Sequence, residues 1–439
     1  MSCRALSWVI AVTALTLGFT GAASATTVQK VVSPGGIEAL LVESHNVPLV
    51  SMSIGFKGGA SQDPGDKRGV SRFVENMFFD GSGRRSSLDY LRDWNRLGAS
   101  GNISTSDDWM TVTFQSISAN LDPSFELLRQ ALIEPDYDGD SIERTRGSML
   151  ATLSANLKDP DTAGAQAWYS AAYGDTSYGL PTRGSLETVT AIGRADIEAY
   201  RTKVLTRDNM KIGVTGDIDA KRLGALLDTV FGALPAKGEL RPTARIAAGK
   251  AAKKEINQSV DQALIFFGND ASEIVDPNGT EYYAAILLNF ILAGGDFTSR
   301  MTKEVREKRG LAYSVSASYS LMLSGGNWYG SLGTRNETVD EALRVVTDEI
   351  TKMAKDGPTD EEIASAKDYF SGSFFLDLDT NLKIAGTLRS MQQWGLGMDY
   401  IDAYPSKIQA LTAADVRAVA KKVLKPDDLI VVVVRKRVG

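Results

Sequence analysis

Residues Gly69–Ser82 read GVSRFVENMFFDGS, and their spacing predicts a helix. Val70, Phe73, Val74, Met77 and Phe78 fall at i, i+3, i+4, i+7 and i+8, the stripe that a helix buries against a core. Arg72, Glu75 and Asn76 fall on the opposite face, within one turn of each other. Three residues apart, Arg72 and Glu75 are placed to form an ion pair across that turn.

Outward from this helix the pattern changes period. Val50, Met52, Ile54 and Phe56 alternate with Ser51, Ser53 and Gly55, which predicts a strand with one buried face. Met110, Val112 and Phe114 alternate with Trp109, Thr111 and Thr113 in the same way. Helical stretches follow at Pro123–Ile133 and Ser141–Leu157, and the closing run from Leu429 to Val434 reads as a buried strand. Strands in neighbouring sets with helices grouped between them indicate an α+β fold.

The chain contains a duplication. The segment from Ala191 to Asp208 aligns without a gap with the segment from Ala410 to Asp427, and Ala191, Ala195, Asp196, Ala199, Lys203, Val204, Leu205 and Asp208 all recur. Each segment runs into a strand, which points to a duplicated domain. The seam falls at Leu234 to Lys254, a stretch with Pro235, Gly238, Pro242 and Gly249 and no apolar period. The expected domains are then residues 28–233 and 255–439, joined by a linker at 234–254.

Length and composition agree with two domains: 439 residues, 43% hydrophobic and 23% charged. The first 25 residues read as a cleavable signal peptide. Arg4 precedes the apolar run Leu6–Phe19, and Ala23-Ser24-Ala25 presents small residues for cleavage after Ala25. Export to the periplasm or beyond is the expectation, with no membrane span after cleavage; a retained anchor is the alternative. Cys3 is the only cysteine, so the mature chain has no disulfide and no thiolate ligand. A net charge of −6 without a basic stripe disfavours nucleic acid as a partner. His45 is the only histidine, which excludes any mechanism that needs two from this chain. It lies in the polar turn Glu43–Pro48 and reads as solvated.

The helix at Gly69–Ser82 resembles the inverted zinc motif of the insulinase/pitrilysin peptidases, His-x-x-Glu-His, with its preceding Gly and following Met-x-Phe-x-Gly-Ser. Two histidines four apart aim at one metal, and the glutamate between them activates the bound water. Arg72 and Asn76 stand where the resemblance places the histidines, and Glu75 remains. The family's third ligand precedes an Asp-Pro pair; the match here is Asp159-Pro160 in MLATLSANLKDP, which puts Thr152 at the ligand position. The resemblance therefore implies a member without zinc ligands, with no metal or cofactor bound by this chain.

The second half resembles the same family at Leu292–Ser314, LAGGDFTSRMTKEVREKRGLAYS. Locally, Asp296 or Thr298 is expected to cap a helix with Phe297, Met301 and Val305 on its inner face, and Gly310 to end it. In the family the arginine and tyrosine of this signature hold the substrate backbone and the developing oxyanion, and here they are Arg306 and Tyr313. Read from periodicity, the two are a solvated charge and a core aromatic. Gly98–Trp109 resembles the segment in which an edge strand pairs with extended peptide, which implies substrate contacts at Asn102, Ile103, Ser104 and Thr105.

The implied fold is two homologous domains of the LuxS/mitochondrial-processing-peptidase-like metallohydrolase type, each a helix-backed, mostly antiparallel sheet, facing one another as a clamshell. Two-chain family members divide the site between a zinc-bearing subunit and one that supplies the arginine and tyrosine. That implies a zinc-bearing paralogous partner here, with peptide as substrate. A peptide-binding or scaffold protein with no part in chemistry is the other reading.

Overall fold

The computed structural model describes residues 27–82 and 85–436, so the expected signal peptide lies outside the described residues. Six strands form the first sheet: β1 (Gln29–Val32), β2 (Glu38–Glu43), β3 (Leu49–Lys57), β4 (Ala99–Thr105), β5 (Trp109–Ile117) and β6 (Met210–Gly216). Their order is β1-β2-β6-β3-β5-β4, antiparallel except for β2 beside β6. The second sheet holds β7 (Ala252–Asn257), β8 (Ala263–Asp270), β9 (Ala312–Met322), β10 (Gly325–Thr334) and β11 (Ile430–Arg435). Its order is β7-β11-β8-β10-β9, antiparallel except for β7 beside β11. Without β1, the first sheet repeats the second strand for strand, parallel pair included.

The duplicated segment lies in the same place in both. Helix Arg194–Val204 leads into β6, and helix Ala413–Val423 leads into β11. The recurring aspartate is a cap: Asp196 accepts from the backbone N–H of Gly193, and Asp415 from that of Thr412, both at 2.8 Å. Between the repeats, residues 235–251 contain neither helix nor strand. β7 opens at Ala252, so the connection ends three residues before the composition suggests.

One face of each sheet packs on helices of its own half. Phe56, Phe73, Phe114 and Phe125 centre the first core, and Phe267, Met301, Val346 and Ile408 the second. The opposite faces are covered by exchanged helices. Helix Pro160–Tyr173, from the first half, lies on the second sheet, where Trp168 is buried with Phe266, Ile430, Val432 and Val434. The indole N–H of Trp168 donates to the Ile430 carbonyl at 3.1 Å. Helix Asn381–Gln393, from the second half, lies on the first sheet, with Leu388 and Met391 against Leu40 and Val42. Asp159-Pro160 starts the first exchanged helix: Asp159 accepts from Thr162 N–H at 3.0 Å, and the proline occupies the first turn.

This exchange corrects the reading of β3. Its polar face is buried too, with Ser51 0% and Ser53 2% exposed, because the exchanged helix lies on it. Ser53 Oγ accepts from Arg389 Nε of that helix at 3.0 Å, and Gln115 donates to Ser51 Oγ at 2.9 Å. Close approach requires a glycine in each contact. A Cβ on Gly213 would sit 2.1 Å from the Ala385 carbonyl oxygen, and one on Gly164 would sit 2.0 Å from the Phe266 ring. The halves also meet at their hairpin tips. Asp108, after β4, accepts from the backbone N–H of Leu323 at 2.8 Å and from the hydroxyl of Tyr178.

Candidate functional site

Helix Val70–Met77 begins at Gly69, whose φ of +100° suits glycine. Its N-terminal groups are held by Asp63, which accepts from Gly69 N–H at 2.8 Å, Ser71 N–H at 3.2 Å and Ser71 Oγ at 3.0 Å. Burial pushes the Asp63 carboxyl up to about 6, against these hydrogen bonds and Arg68. All five residues of the predicted stripe are buried. On the other face, Arg72 Nη1 donates to both oxygens of Glu75, at 2.6 and 2.8 Å.

Thr152 lies on helix Gly139–Asn156 and donates to the Ser148 carbonyl at 3.0 Å. Arg72, Asn76 and Thr152 together line one cavity of about 90 Å³, whose remaining wall is Ser148, Met149, Leu153 and Arg183. The structure thus brings together the three positions that the zinc motif assigns to ligands. Their donor set does not fit a zinc ion. A guanidinium has no lone pair to give and keeps its charge, and the amide and hydroxyl are neutral, weak donors. Both oxygens of Glu75 are engaged by Arg72. No group of three or more His, Cys, Asp or Glu suited to a metal occurs among the described residues.

In the second half, Ser299 caps the turn, and Thr298 does not. The Ser299 hydroxyl accepts from Thr302 N–H at 3.3 Å, while Thr298 Oγ1 donates to the Gly295 carbonyl. Arg300 grips Glu362 with two hydrogen bonds, at 2.7 and 2.6 Å, and thereby anchors this turn to helix Asp360–Ser373. Residues Thr302–Glu307 wind as a π-helix, and Gly310, at φ +59°, ends the turn before β9.

Arg306 lies on the π-helical turn and Tyr313 on β9, the edge strand of its sheet. The guanidinium carbon of Arg306 is 4.7 Å from the centre of the Tyr313 ring and 4.6 Å from that of Phe297. Tyr313 is 81% exposed and Phe297 60%, so neither ring belongs to the core. Phe297 was expected on the inner face with Met301 and Val305; those two are buried, but Phe297 points outward onto Arg306. The chain turns through a 3-10 segment at Asp296–Thr298 before the helical turn starts, which breaks the helical phase behind that expectation. An aromatic nine residues before the signature arginine, across a Ser-Arg turn, was the available signal.

β4 is the edge strand of the first sheet. Asn102 and Ser104 are exposed on it, whereas Ile103 and Thr105 are buried. Among the described residues no strand pairs with its outer edge. No hydrogen bond, ion pair or cation–π contact joins Arg306 or Tyr313 to Arg72, Glu75, Asn76 or Thr152 among the described residues. His45 is exposed and hydrogen-bonded to Asp217 at 2.6 Å, which raises its pKa.

Fold and site together define a two-domain protein of metallopeptidase architecture whose metal position lacks a ligand set. Comparison with known proteins agrees. Residues 38–185 match the insulinase (peptidase family M16) model, and residues 191–370 match the peptidase M16 inactive domain. The chain belongs to the M16 peptidase family. An uncharacterized zinc protease of Streptomyces coelicolor is 27% identical over 406 residues, covering 91% of this chain and 87% of the relative. The non-peptidase homolog YmxG of Helicobacter pylori is 21% identical and covers 94% and 95%. The crystal structure of a peptidase M16 inactive domain from Pseudomonas fluorescens superposes with a TM-score of 0.88 at 27% identity, covering 94% of this chain and 98% of that one. A Helicobacter pylori protease structure superposes at 0.84 with 18% identity, over 93% and 99%, and is similar in fold.

Proposed function

We propose that this chain is the subunit of a two-chain peptidase that binds no zinc itself and presents Arg306 and Tyr313 to the active site of a zinc-bearing paralogue. The observation that carries this reading is the stacking of Arg306 on two exposed rings, Phe297 and the edge-strand Tyr313, where a second molecule can reach them. A guanidinium and a phenol hydroxyl are both donors, suited to the oxyanion that forms when a peptide carbonyl is attacked. The stack fixes the guanidinium before substrate arrives, so little reorganisation is needed when the charge develops. In this chain the two groups bind and orient the peptide; the metal and its activated water belong to the partner. The segment ending at Ala25 would place the pair in the periplasm or outside the cell.

The open edge of β4 and the relative named a non-peptidase homolog favour a second reading, a peptide-binding or scaffold protein without chemistry. One experiment separates the two. The tagged mature protein is isolated from its own envelope fraction with any stoichiometric companion, and peptide turnover is measured for wild type and Arg306→Ala. The subunit reading expects a companion with an intact His-x-x-Glu-His helix and turnover lowered about a hundredfold or more by the substitution, with zinc content unchanged. Equal turnover by both proteins removes Arg306 from the chemistry and leaves the binding reading.

A further inference from the structure

The cavity at the lost metal position is not simply closed. Arg72 Nη1 is committed to Glu75, but Arg72 Nε is buried and has no hydrogen-bond partner among the described residues. An N–H of a charged group left in this state is costly, and it points to an acceptor that completes it. Arg183, which also lines the cavity, forms no ion pair among the described residues and is exposed. Asn76 and Ser148 add an amide and a hydroxyl, both exposed at the mouth. The lining residues include no carboxylate, and both oxygens of neighbouring Glu75 are occupied by Arg72, so the lining carries a net positive charge.

From this donor set we infer that the vacated metal position is a binding site for a small oxyanion, a carboxylate or an inorganic phosphate. Its volume of about 90 Å³ is several times the roughly 10–15 Å³ that one water molecule requires, room for either group. Arg72 and Arg183, both lining the cavity, supply the positive charge for charge-assisted hydrogen bonds, and Asn76 supplies a neutral donor. Met149 and Leu153 form the apolar part of the lining. The inference stands apart from any role of Arg306 and Tyr313, which have no contact with these groups.

The test uses the full mature chain and Arg183→Gln, a substitution at an exposed residue that leaves the Arg72–Glu75 pair intact. Binding is measured by calorimetry at low ionic strength with inorganic phosphate and with two pentapeptides that differ only in a free or amidated C-terminus. Asn76→Ala serves as a second variant, and circular dichroism confirms that both variants fold. The expected result is that phosphate or the free-acid peptide binds wild type about tenfold more tightly than Arg183→Gln. Preference for the free acid over the amide identifies a peptide C-terminus as the source; binding of phosphate without that preference identifies a free anion. If every probe binds wild type and both variants equally, or none binds wild type, the assignment is overturned.

Discussion

The guanidinium of Arg306 lies 4.7 Å from the ring of Tyr313, a tyrosine that is exposed and stands outside the second core. Two residues separated by a turn and a strand start are thus held as one unit, with Phe297 completing the stack at 4.6 Å. A planar ion between two rings keeps its orientation, whereas an ammonium does not. Arg306→Lys should therefore lower turnover of the proposed two-chain enzyme about tenfold to a hundredfold while leaving the melting temperature of this chain unchanged. Phe297→Leu should give a smaller loss in the same assay. Wild-type turnover with Arg306→Lys would show that charge alone suffices.

The lost ligands converge on one cavity, so restoring them should restore metal binding. The combined substitutions Arg72→His, Asn76→His and Thr152→Glu are expected to bring zinc to about one ion per chain, measured by elemental analysis after dialysis. A triple variant that folds but retains no zinc would mean that the helix carrying Thr152 is set at the wrong distance.

Glu75 now neutralises Arg72 at a site where both side chains are less than one-fifth exposed. Glu75→Gln leaves the guanidinium charged and short of its partner. The expected cost is about 1–3 kcal/mol in chemical denaturation, because the pair is only partly withdrawn from water. Arg72→Gln in the same background should recover part of that loss.

The exchanged helices depend on glycine. A methyl group on Gly213 would meet backbone atoms of the helix above it, the Ala385 carbonyl oxygen at 2.1 Å and the Arg389 nitrogen at 2.7 Å. Gly213→Ala should destabilise the chain by about 1–3 kcal/mol and expose helix Asn381–Gln393 to limited proteolysis. Cleavage unchanged from wild type would indicate that the helix shifts without loosening.

Asp107 carries the clearest pH dependence. Burial pushes its carboxyl up to about 7; Arg68, 3.4 Å away, opposes the shift, and neighbouring Asp108 and Asp63 add to it. The folded chain holds this proton more tightly than the unfolded chain does, so its contribution is fully present below about pH 4 and is lost as pH rises through 7. Between pH 5 and pH 8 stability should fall by roughly 1–3 kcal/mol on this account, a range discounted for the partial exposure of the group. Asp107→Asn should flatten the profile and be the more stable protein at pH 8. A wild-type melting temperature that rises between those pH values would contradict the shift.

Much of this architecture was legible in the residues. The stripe Val70–Phe78, the alternation in β3 and β5 and the interval between the two repeats each report a local period, and each lies where the period puts it. The pairing of Arg72 with Glu75 followed from helical spacing alone. What the residues did not reveal was non-local. A local period does not say which sheet covers a helix, so the exchange of Pro160–Tyr173 and Asn381–Gln393 was invisible, and with the latter the burial of Ser51 and Ser53. Phe297 was misplaced for a related reason: its helical phase holds only if the helix has begun, and the chain is still in a 3-10 turn there.

The most direct test of the proposed role is contact at Tyr313 itself. Tyr313 is replaced by the photoreactive benzoyl-phenylalanine, the protein is expressed in its own host, and the envelope fraction is irradiated. The account predicts one dominant cross-link, to a second polypeptide with an intact His-x-x-Glu-His helix, mapping next to that helix. Cross-linking only to copies of this chain, or none at a position this exposed, would contradict it.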